Sequence, residues 1–267
     1  MHGNVLITIP ISHYCEKARW ALDRAGVPYR EQAHMQVFHR VAARRAGGGK
    51  TVPVFVCDEG VLPESAEILA YADARMAPER RLYPDDPTAA AEIRALEHDF
   101  DERLGPQGRL WMYHQLRNRR DLAIAYGCTG LPTWERRLMP YVFPLAMRII
   151  DRILQITPEM AERAEAEVRS TFDGVDERLS DGRPYLCGDR FTAADLTFSA
   201  LAAAVLMPPG YGVELPQPPV LPAHAAAVAC ELRERPAGAH ALRMFRDERR
   251  FAQASAGVEA GRISARR

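Results

Sequence analysis

The sequence predicts two domains of different class, a small α+β domain of order βαβ–ββα followed by an all-α helical domain. Three observations predict this. Residues 4–76 mix apolar runs of strand length with short helical patterns. Residues 88–251 are almost wholly helical in pattern. Between them, residues 77–87 carry three prolines in eleven positions together with acidic turn residues, which reads as a linker. The expected boundaries are therefore a first domain at 1–80, a linker at 81–87, a helical domain at 88–252 and a flexible tail at 253–267, rich in small and polar residues.

The first strand is the apolar run 5–9, closed by Pro10. A helix over 15–25 follows, with Cys15, Ala18, Leu22 and Ala25 as its apolar stripe and Gly26 with Pro28 as its stop. A second strand covers 29–35. Residues 39–46 form a short basic helix or loop before Gly47-Gly48-Gly49. Strands at 54–57 and 61–62 enclose a turn at Asp58-Glu59-Gly60, an antiparallel hairpin. A helix over 65–76 closes the domain. The first crossover has the length for parallel strands.

In the second domain a helix spans 88–104, broken at Gly105-Pro106, with 110–119 as a continuation. A loop holds Gly127, Gly130 and Pro132. Residues 134–156 are helical with proline interruptions. Thr157 caps a helix with Pro158 in its first turn and a core stripe from Ala161 to Leu179. Thr192 and Asp195 form a capping box for a helix reaching Leu206. Six prolines over 208–222 make an extended loop, and two short helices follow.

Composition excludes several function classes. Thirty-five basic residues balance thirty-five acidic ones, which argues against a nucleic-acid partner. The five cysteines are scattered and odd in number, with no CxxC pair, so neither a disulfide framework nor a redox dithiol is indicated. No HExxH or HxxxH pair occurs, and no metal is expected. The run at 5–9 reads as a strand and not a signal peptide. The most apolar later stretch, 138–156, is interrupted by Pro140, Pro144, Arg148, Asp151 and Arg152, so no membrane span is expected and membrane contact is disfavoured. The expectation is a soluble cytoplasmic protein. Of the basic residues only Lys17 and Lys50 are lysine.

Three constellations carry chemistry. Ser12 sits between a strand end and a helix start, beside free backbone N–H groups and the positive end of the helix dipole. A thiolate brought there is stabilised by the hydroxyl and the dipole, although alone the serine reads as a plain N-cap. In Lys50-Thr51-Val52-Pro53, a cis Val52–Pro53 bond would leave the Val52 backbone free for an extended peptide. Alone it reads as a strand opened by proline. Glu64 and Ser65 at a helix start suit an ammonium and a carboxylate, an amino-acid head group. Alone they read as a cap.

Their order and spacing together resemble the glutathione transferase superfamily. The serine-x-x-Cys15 motif before Lys17-Ala18-Arg19-Trp20-Ala21-Leu22, then Thr51-Val52-Pro53-Val54, then Pro63-Glu64-Ser65-Ala66-Glu67-Ile68-Leu69, is similar to that family's thioredoxin-like N-terminal domain. The stretch from Tyr185 to Thr197 resembles its helical C-terminal domain. The resemblance implies a cytosolic-type, serine-motif member whose class the motifs do not assign. It implies glutathione as co-substrate, a small hydrophobic electrophile as second substrate, a homodimer and a role in detoxification. Ser12 then matches the activating serine, and Val52 with Pro53 the site that pairs with the cysteinyl part of glutathione. Glu64 and Ser65 match the γ-glutamyl site. Lys50, with His39 or Arg40, lies where the family places groups for the glycine carboxylate.

Ser12 stands where dithiol oxidoreductases carry their first cysteine, so dithiol exchange is not expected, and Cys15 is read as a packing residue on its helix stripe. His13 is read as an exposed loop residue and Lys17 as a solvated one. The chain is longer than the family's usual one, with the excess between Gly105 and Pro158. Trp111 and Tyr113 there are candidates for the electrophile pocket, and equally for helix core. Rival readings are a glutathione-binding sensor or scaffold, a glutathione-dependent peroxidase, isomerase or dehalogenase, and a partner protein docking through 138–156.

Overall fold

The structure, a computed structural model, describes residues 3–250. The tail expected at 253–267 lies outside the described residues. A four-stranded sheet of order β2-β1-β3-β4 organises the first part of the chain. β1 (Val5–Thr8) runs parallel to β2 (Arg30–Ala33) and antiparallel to β3 (Val54–Cys57), which turns into β4 (Gly60–Leu62). Alternation along the strands places one set of side chains on each face. Leu6 opposite Phe55 joins the main core with α1 (His13–Arg24) and α3 (Ser65–Asp73). Ile7 opposite Val54 packs with Ala43 of α2 (His39–Arg45) on the other face. The parallel crossover and the hairpin are as the sequence predicts. α1 ends before Gly26, whose φ of 67° is the left-handed turn glycine allows.

The remainder is helical: α4 (Pro87–Asp99), α5 (Gly105–Leu116), α6 (Arg120–Gly127), α7 (Thr133–Leu154), α8 (Pro158–Leu179), α9 (Ala193–Leu206), α10 (Ala223–Glu234) and α11 (Pro236–Met244). α9 is buried along its whole length and is the axis of this part. Asp195 accepts from the Thr192 N–H at 2.9 Å and from its hydroxyl at 2.7 Å, the expected capping box. The expected break at Gly105-Pro106 does not occur. α4 runs into α5 through a five-residue π-helical turn, Phe100–Leu104. Pro106 has no N–H to give to the Asp101 carbonyl, and the Tyr14 hydroxyl of α1 donates to that carbonyl instead, at 2.7 Å. Gly105 is there for close approach, since a Cβ would overlap the Tyr14 ring oxygen. Gly105→Ala is therefore expected to displace Tyr14 and lower stability by about 1–3 kcal/mol, read as a fall in Tm.

α6 occupies what the sequence suggested as loop. α7 is one continuous helix despite Pro140 and Pro144. Pro144 frees the carbonyl of Pro140, four residues back, and the Arg120 guanidinium donates to it at 2.5 Å. A satellite cluster of Met35, Cys128, Leu131, Met139 and Phe143 seats α7 against the end of β2.

Two expectations about α1 are corrected. Lys17 is fully buried, with its ammonium 2.6 Å from Asp101 and 2.9 Å from Glu97. It lies on the face of α1 that meets the α4–π junction, a contact invisible to local pattern. His13 is buried in the first turn of α1, and its Nε2–H donates to the Gly105 carbonyl at 3.1 Å. Below them Trp20 packs between Phe191 and Phe245. Glu16, wholly buried, is shared by Arg19 and Arg249, both 2.7 Å away. α1 is thus bolted to the helical part by apolar rings and by ion pairs.

Candidate functional site

A polar cavity opens where the N-terminus of α1 faces α5 and the end of α7. Ser12 caps α1, its Oγ accepting the Cys15 N–H at 3.4 Å. An accepting hydroxyl still has its own proton to donate, so Ser12 offers a donor to the cavity at the positive end of the helix. Neighbouring groups do not compete for that role. Burial pushes the Cys15 thiol up to about 11, against Arg19 and the Ser12 hydroxyl, so it stays protonated and packed. Burial, aided by the charge of Arg109, lowers His13 to about 3, so it is a neutral hydrogen-bonding residue. Burial raises the Tyr14 phenol, and its proton is committed to Asp101.

The opposite wall comes from the α2–β3 region. His39, Arg40, Lys50, Thr51 and Val52 all line the cavity. The Val52–Pro53 bond is cis. The β1–β3 ladder ends with Ile7 opposite Val54, so Val52 lies before the paired strand. Burial, then the charge of Arg40, lowers His39 to about 4. His39 is thus a neutral hydrogen-bonding group, and the positive charges on this wall are Arg40 and Lys50. Val37, with φ of 80°, is a β-branched residue in the left-handed region, a strained turn in the wall. Glu64 and Ser65 stand at the start of α3 and do not line this cavity. Pro53 does not line it either. The Glu64 carboxyl is raised by partial burial and by Glu67 and Asp101, a bias that a ligand cation would offset.

A second, apolar cavity adjoins the first, with an empty volume of about 910 Å³, mouth included. Ile11, Gln36, Met112, Tyr113 and Ile150 line both, so the two are continuous. Leu122, Phe143 and Ala204 are among the residues of its deeper wall, and α6 and α7 supply much of it. The unassigned excess of sequence thus builds this chamber. Of the two aromatics singled out on α5, Tyr113 lines both cavities and Trp111 lines neither. Trp111 is a correction: its ring is buried on the other face of α5, with Nε1–H donating to Glu165 at 3.1 Å. Helical periodicity sets Arg109, Met112, Tyr113 and Leu116 on the cavity face.

Sequence reasoning missed Arg109, Gln36 and Tyr14. The α5 spacing that exposes Tyr113 also exposes Arg109 four residues earlier, and that signal was available. The fold of 36 and 37 carried none.

Two family models match the chain: "Glutathione S-transferase, N-terminal domain" over residues 6–80 and "Glutathione S-transferase, C-terminal domain" over 158–236. Among curated proteins none matches. Several solved structures share the fold. One is a theta class glutathione S-transferase from Xanthomonas axonopodis pv. citri with glutathione bound, 22% identical, covering 91% of this chain and 98% of that one, TM-score 0.56. Another is a glutathione S-transferase from Methylobacterium radiotolerans in complex with glutathione sulfonate, 20% identical, covering 90% and 94%, TM-score 0.53. A third, from Xanthobacter autotrophicus, is 17% identical, covering 90% and 91%, TM-score 0.56.

Proposed function

Because this chain belongs to the glutathione S-transferase superfamily, we propose that it activates glutathione as a thiolate at Ser12 and transfers it to an electrophile held in the apolar chamber. The observation that carries this reading is the placement of the Ser12 hydroxyl at the N-terminus of α1, in a polar cavity continuous with an apolar one. Glutathione carries two carboxylates, an ammonium and a thiol. Arg40 and Lys50 supply charge for the glycine carboxylate, with His39 as a neutral hydrogen-bonding neighbour. The Val52 backbone, turned by cis-Pro53, pairs with the cysteinyl residue. Glu64 and Ser65 take the γ-glutamyl head group from the start of α3. Crystals of two structural neighbours hold glutathione or its sulfonate, which supports the same ligand here.

Chemically, the thiol gives its proton to solvent, and the thiolate is held by the Ser12 O–H and the helix dipole. It attacks the electrophilic carbon. The C–S bond forms as the leaving group departs with its bonding pair. The apolar wall excludes water from that step and binds the hydrocarbon body of the substrate. The test is conjugate formation from glutathione and a panel of aryl and alkyl halides, followed by mass spectrometry. Conjugates are expected, whereas glutathione binding with no conjugate from any of them would sink the transferase reading in favour of a binding protein.

The chamber's part is separately testable. Ala123 is a half-buried residue of its wall on α6. Ala123→Phe is expected to fill the space, raising KM for a bulky electrophile by about tenfold or more while glutathione affinity stays unchanged. An unchanged KM would place the second substrate elsewhere.

A further inference from the structure

Arg109 is a cation of the polar cavity wall that the glutathione reading leaves without a task. It lies on α5, one turn before Met112 and Tyr113, which line both chambers. It is partly buried and lines the same polar cavity as Arg40 and Lys50. Its Nε is buried and has no hydrogen-bond partner among the described residues. Its guanidinium has no carboxylate partner among them either, unlike the buried cations Lys17, Arg19, Arg24 and Arg249, which are each ion-paired. Its charge is felt by His13, Tyr14 and Tyr113, none of which carries a negative charge to answer it. A guanidinium with a buried, unanswered donor is costly unless a ligand completes it.

The charge count narrows the ligand. In the proposed glutathione reading the two carboxylates of glutathione are matched, one by Arg40 and Lys50 and one at the start of α3. A third cation, on the polar cavity wall one helical turn from Met112 and Tyr113, therefore has no carboxylate of glutathione left to bind. We propose that the second substrate is amphipathic, with an apolar, ring-sized body and a carboxylate, and that Arg109 is the specificity-determining residue that receives the carboxylate. The planar fork of Arg109 suits a carboxylate by two parallel N–H···O bonds. The chamber beyond, walled by Leu116, Leu122 and Phe143, takes the body. This rests on the reading of the apolar chamber as the second-substrate site.

The test uses binding without glutathione, so that it stands apart from the transferase reading. The wild-type protein and Arg109→Gln are titrated calorimetrically with a naphthoate and with the matched neutral naphthamide. The wild type is expected to bind the carboxylate about tenfold or more tighter than the amide, as a charge-assisted bidentate contact implies. Arg109→Gln should erase that preference while amide affinity is retained, and Arg109→Lys should restore it in part. Equal binding of the two ligands by the wild type would overturn the proposal, as would a preference that survives in Arg109→Gln. A preference abolished by Lys50→Ala and kept by Arg109→Gln would assign the carboxylate to the other wall and would also overturn it. Loss of glutathione conjugation with the naphthoate preference intact would instead strike the transferase reading alone.

Discussion

Ser12→Ala is expected to lower kcat/KM for conjugation by about 10²–10³-fold, the size of effect seen when one donor to a developing or stored anion is removed. The prediction follows from the two uses of one hydroxyl. Its oxygen accepts the Cys15 N–H, and its proton points to no other group among the described residues' hydrogen bonds. A thiolate in the cavity is then the natural acceptor. Removing the hydroxyl leaves the helix dipole but no O–H donor, so the bound thiol pKa should rise toward its free value of about 8.5. The sign matters. A bound thiol with a lowered pKa is ionised at neutral pH, so the wild-type rate should reach its plateau at lower pH than that of the variant. Ultraviolet titration of the bound thiolate checks this, and glutathione affinity should change only a few-fold. Ser12→Ala also removes an N-cap, worth about 1 kcal/mol, so Tm is measured alongside. Ser12→Thr keeps a hydroxyl and should retain most of the activity. An unchanged thiol pKa in Ser12→Ala would remove the serine from the chemistry.

Lys17→Met should lower stability by about 3–5 kcal/mol near neutral pH. The ammonium is wholly buried and stands between two carboxylates, Glu97 and Asp101, whose side chains are themselves mostly buried. Methionine fills similar space and leaves both acids facing each other without a cation. Burial already raises the Asp101 carboxyl, even with Lys17 holding it down. Without Lys17 it rises further. An acid with a raised folded-state pKa is destabilising when ionised, and that penalty fades as pH falls through the raised value. The cost of Lys17→Met should therefore shrink on going from neutral pH to about pH 5. Denaturant unfolding at the two pH values reads this directly. A cost that grows with acidification would mean that the two acids are not the groups Lys17 serves.

The same lysine illustrates what was legible in the sequence. Local signals are legible because they are local: the apolar run that holds Leu6 and Ile7, the stop at Gly26, the capping box of Thr192 and Asp195. The path of α1 was legible and its surroundings were not. Lys17 finds Asp101, and Tyr14 finds the carbonyl of Asp101, only because the fold brings the α4–π turn onto α1. Pro106, Pro140 and Pro144 read as interruptions because proline removes a donor. Tyr14 donates to the carbonyl that Pro106 leaves open, and Arg120 to the one that Pro144 leaves open. Those compensations come from distant residues, so periodicity alone overstated the breaks.

For the site, the motifs and the family resemblance they carry bring Ser12, His39, Arg40, Lys50 and Val52 into view, and α5 offers Tyr113; all six line one cavity. Trp111 and Tyr113 show the limit. Two aromatics two residues apart on a helix lie on different faces, and which face meets the cavity depends on where α8 packs. The chamber beyond Tyr113 was legible only as excess length. Its shape is set by α6 and α7, whose helical residues carry no motif.

The most direct measurement is calorimetric titration of the wild-type protein with reduced glutathione. Saturable binding at one site per chain is expected, weakened by Lys50→Ala and displaced by an S-alkyl glutathione. A titration that shows no heat of binding, with S-alkyl glutathione equally silent, would contradict it.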